Sequence, residues 1–160
     1  MAAWNGHADL TRLLLDTGRC RLDLAGPGSV TPVVLAAQQR HQHVVELLVD
    51  AGCDVTRRAT LRMRGGGVAR DVAALHVAAA AGQAGVVRRL VAAGAPLDGC
   101  MAAGQLGSVT ALHLAVEAGH RDVVDLLIES GCDVNRRTTS TPVLVDSDRT
   151  HCSTSYSTTV

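Results

Sequence analysis

The chain has 160 residues, no net formal charge at pH 7, and a composition that is 47% hydrophobic but only 1% aromatic. Zero net charge removes any general attraction for nucleic acid or an anionic membrane, and the length fits a single domain. With Trp4 and Tyr156 as its two rings, the chain lacks the bulky side chains of an ordinary globular core and suits small helices packed closely together.

In chain order, Met1-Ala2-Ala3-Trp4-Asn5 leads into Gly6-His7 and an apolar ladder of Leu10, Leu13 and Leu14 that stops at Gly18. Thr31-Pro32 opens a second segment with Arg40-His41, the ladder Val44, Val45, Leu47 and Leu48, and Gly52. A third contains Leu75-His76, Gly82-Gln83, the ladder Val86, Val87, Leu90 and Val91, and Gly94. The fourth contains Thr110, Leu112-His113, Gly119-His120, the ladder Val123, Val124, Leu126 and Leu127, and Gly131. From position 7 to 41, 83 and 120 the steps are 34, 42 and 37 residues. Apolar residues at steps of three and four bury one face of a helix, and glycine tolerates the left-handed cap that ends it. Two short helices per segment are therefore predicted, in a stack of repeats.

These segments resemble the ankyrin repeat, whose pattern is Thr-Pro-Leu-His-x-Ala, then Gly-His, then a Val-Val-x-Leu-Leu helix and a glycine turn. The resemblance covers roughly residues 1–145. It implies an all-α solenoid of stacked helix-turn-helix units joined by hairpin loops: a partial first unit at 1–24, units at about 25–55, 71–98 and 108–135, and an abortive fifth from 140. Val34 replaces the histidine of the second unit, Ala73-Ala74 replace Thr-Pro in the third, and Ala111 replaces proline in the fourth. Pro32, and Pro142 in the fifth, mark helix starts. The resemblance implies structural roles for His76 and His113 at the junction of hairpin and helices.

Half of the first helix is missing, and neither end of the array carries the polar outer face that terminal repeats normally present. The chain is therefore expected to be a fragment or shortened product of a longer repeat protein. Residues 146–160, rich in Ser and Thr, show no helical period and are expected to form a disordered tail. Its last residues, with Thr158 two places before the terminal Val160, match a PDZ-domain ligand in two positions only.

Two connections exceed the repeat norm, at 57–70 and 98–105. Insertions there lengthen a loop at one edge of a solenoid without breaking helix stacking. The first carries Arg57, Arg58, Arg62, Arg64 and Arg70 and the run Gly65-Gly66-Gly67. Its readings are a nuclear import signal, a docking site for an acidic partner, a weak contact to phosphate backbones, or simply a solvated mobile loop. Nucleic acid is disfavoured because no aromatic residue accompanies the arginines. All 15 basic residues of the chain are arginine, which reads as compositional bias rather than as removal of lysine modification sites.

Five cysteines, at 20, 53, 100, 132 and 152, are an odd set without Cys-x-x-Cys spacing, and fit a reducing compartment. Cys53 and Cys132 follow helix-ending glycines and read as small buried residues. No signal peptide is visible, and no run reaches the roughly 20 apolar residues that span a bilayer. The expectation is a soluble, monomeric, intracellular protein, cytoplasmic unless the arginines direct it to the nucleus.

Catalysis is not expected. His7, His41 and His120 recur at one repeat position, His76 and His113 at another, and Asp54, Asp98 and Asp133 recur after the helix-ending glycine, where they turn the chain by bonding backbone amides. No lysine follows the glycine run, so it is no phosphate loop. No metal, cofactor or small-molecule ligand is expected. By the resemblance, partner proteins would lie against the hairpin tips and the end of each first helix: Trp4 and Asn5, Gln38 and Gln39, Ala80 and Ala81, Glu117 and Ala118. Trp4 reads equally as an interface anchor and as a cover for the frayed first unit. The expected function is a non-catalytic scaffold or adaptor binding a partner protein. The alternative is the substrate-recruiting part of a larger enzyme, such as a ubiquitin ligase or kinase.

Overall fold

A computed structural model describes residues 2–17, 27–62, 67–103 and 107–136. Four helical pairs follow one another: α1 (Ala2–Asn5) with α2 (Ala8–Asp16), α3 (Pro32–Gln38) with α4 (Gln42–Asp50), α5 (Ala74–Ala80) with α6 (Ala84–Ala92), and α7 (Ala111–Glu117) with α8 (Arg121–Glu129). The first helices stack in the order α1, α3, α5, α7, and the second helices form a parallel row, α2, α4, α6, α8. Small residues allow this close approach. Ala36, Ala37, Ala78, Ala79 and Ala115 are fully buried between first helices, while Val45, Val87, Leu90 and Leu127 fill the space beneath the second row.

Each second helix ends as its glycine dictates. Gly52, Gly94 and Gly131 have φ of 80°, 83° and 88°. The amide after each reaches back to a helical carbonyl: Cys53 to Leu48, Ala95 to Leu90 and Cys132 to Leu127. The remaining helix-ending glycine, Gly18, and the proposed helix start at Pro142 lie outside the described residues.

The expectation of an all-α chain requires correction, because the two long connections are partly strands. The first forms β1 (Ala59–Arg62) and β2 (Val68–Val72), the second β3 (Cys100–Ala103) and β4 (Ser108–Thr110), and they join in one antiparallel sheet in the order β1-β2-β3-β4. The insertions are long enough to extend each hairpin until β2 meets β3, pairing Ala69 with Ala103 and Arg70 with Ala102. Backbone groups that a plain loop would leave to water thus pair with one another. The sheet has its own small core, in which Ala69, Val72, Met101 and Val109 pack with Leu61 against Val77 and Leu114 of the first helices.

The first ladder also departs from expectation. Leu10, Leu13 and Leu14 are 46%, 61% and 39% exposed, whereas the matching Val44 and Leu48 of α4 are buried. Inside the stack, α2 covers α4 on that side; among the described residues no helix covers α2.

Candidate functional site

Histidines at two repeat positions join parts of the hairpins and helix pairs. Buried His76 accepts a hydrogen bond at Nδ1 from the Ala73 amide at 3.1 Å, and its Nε2 donates to the Gly99 carbonyl at 2.8 Å. In the next unit the hydroxyl of Thr110 lies 2.6 Å from His113 Nδ1. Where threonine is present its hydroxyl takes the ring nitrogen; where Ala73 replaces it, the backbone amide does. Burial lowers the pKa of both histidines below the ordinary 6.5, the largest influence in each case. Both ring nitrogens of His76 are engaged by backbone groups, as a structural role requires.

The second unit shows the converse. With Val34 in place of histidine, the buried hydroxyl of Thr31 has no hydrogen-bond partner among the described residues. An orphaned polar group of that kind costs on the order of 1–3 kcal/mol.

The second arrangement uses the Gly-His pairs. A Cβ at Gly6 would lie 2.5 Å from His41 Nδ1, and one at Gly82 would lie 2.6 Å from His120 Nδ1. Each histidine therefore rests on the glycine of the preceding unit, and His41 Nε2 reaches the Trp4 carbonyl at 3.1 Å. Arg40 occupies the glycine position of the second unit, at φ 62°. The third unit answers with Gln83 instead of histidine, whose amide donates to the Ala37 carbonyl at 2.7 Å.

Of the aspartates expected to turn the chain, two do so locally: Asp54 accepts from the Thr56 amide and Asp133 from the Asn135 amide, each at 2.9 Å. The Thr56 hydroxyl and amide hold the Asp54 carboxyl below its usual range. Asp98 acts differently, accepting at 2.8 Å from the amide of Asp133 in the next unit. Cys53 is half-buried rather than buried, while Cys132 is buried, which pushes its thiol pKa up. Among the described residues no three His, Cys, Asp or Glu side chains are grouped to hold a metal ion.

The residues assigned to partner contact fall into one row. Trp4, Gln38, Ala80 and Glu117 stand at or next to the end of α1, α3, α5 and α7, and all four are exposed, Trp4 by 41%. Asn5 and Ala118 are exposed beside them, and Gln39 and Ala81 are half-buried. Because the first helices stack in order, these helix ends follow one another along the array.

The described arginines of the first insertion take different surroundings. Arg57 pairs with Asp54 at 3.8 Å, and Arg58 Nη1 donates to the Cys100 carbonyl at 2.7 Å, tying the two hairpins together. Arg62 and Arg70 stand exposed on β1 and β2. Arg64 lies outside the described residues, as do Thr158 and Val160 of the PDZ-like ending. Val68, Ala102 and Ser108, which share the outward sheet face with the two arginines, escaped the sequence reading. Their signal was the alternation of buried and exposed types at 59–62 and 68–70.

The family model for ankyrin repeats (3 copies) matches residues 1–59 and 64–138. The chain belongs to the ankyrin-repeat family. The break in the match, at 60–63, falls inside the first insertion, where this ankyrin array departs from the repeat norm. A search of curated proteins finds no match. Ankyrin repeats are generally protein–protein interaction modules, and no helix among the described residues of this one is long and apolar enough to cross a membrane.

Proposed function

We propose that this ankyrin-repeat chain is a non-catalytic interaction module that grips a partner protein along the strip formed by Trp4, Gln38, Ala80 and Glu117 and along the adjoining hairpins. The supporting observation is the contrast between framework and strip. Framework positions such as Ala3, Ala37 and Ala79 repeat and are buried, whereas the strip holds an indole, an amide, a methyl and a carboxylate at one equivalent position. A residue that stacking does not constrain is free to select a partner, and an exposed tryptophan at one end supplies the large contact area typical of interface anchors.

Affinity purification of the full chain followed by mass spectrometry tests the reading. Ala80→Arg places a long charged side chain in the middle of the strip at an exposed position, where surface changes usually shift stability by less than about 0.5 kcal/mol. The variant is expected to melt with the wild type yet lose its specific partners. Full retention of those partners by a folded Ala80→Arg chain would remove the strip from the account.

A further inference from the structure

The outward face of the four-stranded sheet is not explained by stacking. Its inner face carries Leu61, Ala69, Met101 and Val109 against the helices. Strand alternation therefore turns Arg62, Val68, Arg70, Ala102 and Ser108 to the other side, with Thr60 and Asp71 exposed beside them at the bulge. Val68 stands directly opposite Arg62, and Arg70 opposite Ala102. Arg62 and Arg70 are consequently diagonal neighbours, about 7–8 Å apart with their Cβ atoms somewhat closer. Both are exposed, and neither has an acidic partner among the described residues. Asp71 stands exposed at the bulge with φ 58°, and no ion pair joins it to either arginine among the described residues. Two like charges on one small face repel each other, and Val68 between them is 41% exposed.

The face therefore combines two unpaired cations with an apolar floor and small flanking residues. In an extended polypeptide, side chains two residues apart point the same way and lie about 6.8 Å apart. That spacing matches the two arginines. We propose that this sheet face docks an acidic, extended segment of a partner protein carrying carboxylates at positions i and i+2, one on Arg62 and one on Arg70, with their methylenes over Val68. Guanidinium–carboxylate pairing supplies directional, charge-assisted hydrogen bonds. A nucleic acid suits the face less well. Two phosphate contacts release few counterions, and the face offers no ring on which a base would stack.

The inference rests on the reading of the chain as a protein-interaction module, but it concerns a different surface. Its test is fluorescence anisotropy of the full chain with labelled peptides containing Glu-Val-Glu, Gln-Val-Gln or Glu-Val-Val-Glu in a Gly-Ser frame, and with a single-stranded oligoribonucleotide. Glu-Val-Glu is expected to bind about tenfold more tightly than Gln-Val-Gln, as expected for two charge-assisted pairs. It should also bind more tightly than Glu-Val-Val-Glu, whose equal charge is set on opposite sides of the strand. Arg62→Gln/Arg70→Gln is expected to abolish the preference, and Arg62→Glu/Arg70→Glu to transfer it to Lys-Val-Lys. Equal binding of the three acidic and amide peptides by the wild type, which needs no variant to fold, would overturn the proposal. So would tighter binding of the oligoribonucleotide, or an unchanged preference in the double glutamine variant. The Ala80→Arg chain separates the two readings: loss of partners without any Glu-Val-Glu preference in the wild type removes the sheet face alone, and retention of partners with the preference intact removes the strip alone.

Discussion

Burial of His76 between the third unit and its hairpin requires an uncharged ring, since Nδ1 accepts from the Ala73 amide and has no room for a second proton. Protonation breaks that bond and places a charge in an apolar setting. The sign of the pH dependence follows. The folded pKa is below 6.5, so as pH falls the unfolded chain takes up the proton first, and the contribution of this histidine, complete above pH 6.5, is lost as pH drops toward the folded value. His113 shifts in the same direction. Thermal melts are expected to show a lower transition at about pH 5.5 than at about pH 7.5. The difference should shrink but not vanish in His76→Gln, and an acid-induced loss of equal size in that variant would contradict the assignment. The structural role of His76 was legible in the sequence because it repeats at position 113. The orphaned hydroxyl of Thr31 follows from Val34, and the substitution is visible in the sequence, but its consequence required knowing that the hydroxyl is enclosed.

At the scale of elements, the helices were legible and the strands were not. Glycine at 52, 94 and 131 and the valine–leucine ladders are local signals, set within one turn of the residues they govern. Pairing of β2 with β3 joins residues more than thirty positions apart, and arginine and glycine in the first insertion mask the short alternation at 59–62. The coupling between units is likewise non-local. Gly6 and Gly82 each receive the histidine of the following unit, while Arg40 is followed by Gln83. Gln83→His alone is therefore expected to destabilise the array by about 1–3 kcal/mol, the range for overpacking a filled site. Adding Arg40→Gly should recover most of that loss in a double-mutant cycle of chemical denaturation. Additive effects would show that the two positions do not touch.

At the scale of the whole molecule, the main helix contacts among the described residues join neighbouring units, so stability is approximately the sum of local pairs and their interfaces. The same construction leaves one strip of first-helix ends and one sheet face in water, on surfaces distinct from the buried framework. Placement of Trp4, Gln38, Ala80 and Glu117 at exposed first-helix ends was legible from the family resemblance and from comparison between units, which separates constant from variable positions. The sheet face was not, since it exists only after two insertions meet. Hydrogen–deuterium exchange of the full chain, alone and with a partner captured by affinity purification, tests the central claim most directly. Protection is predicted at residues 38–39, 80–81 and 117–118 and in the adjoining strands, with the second helices α4, α6 and α8 unchanged. Protection confined to α4, α6 and α8 would contradict it.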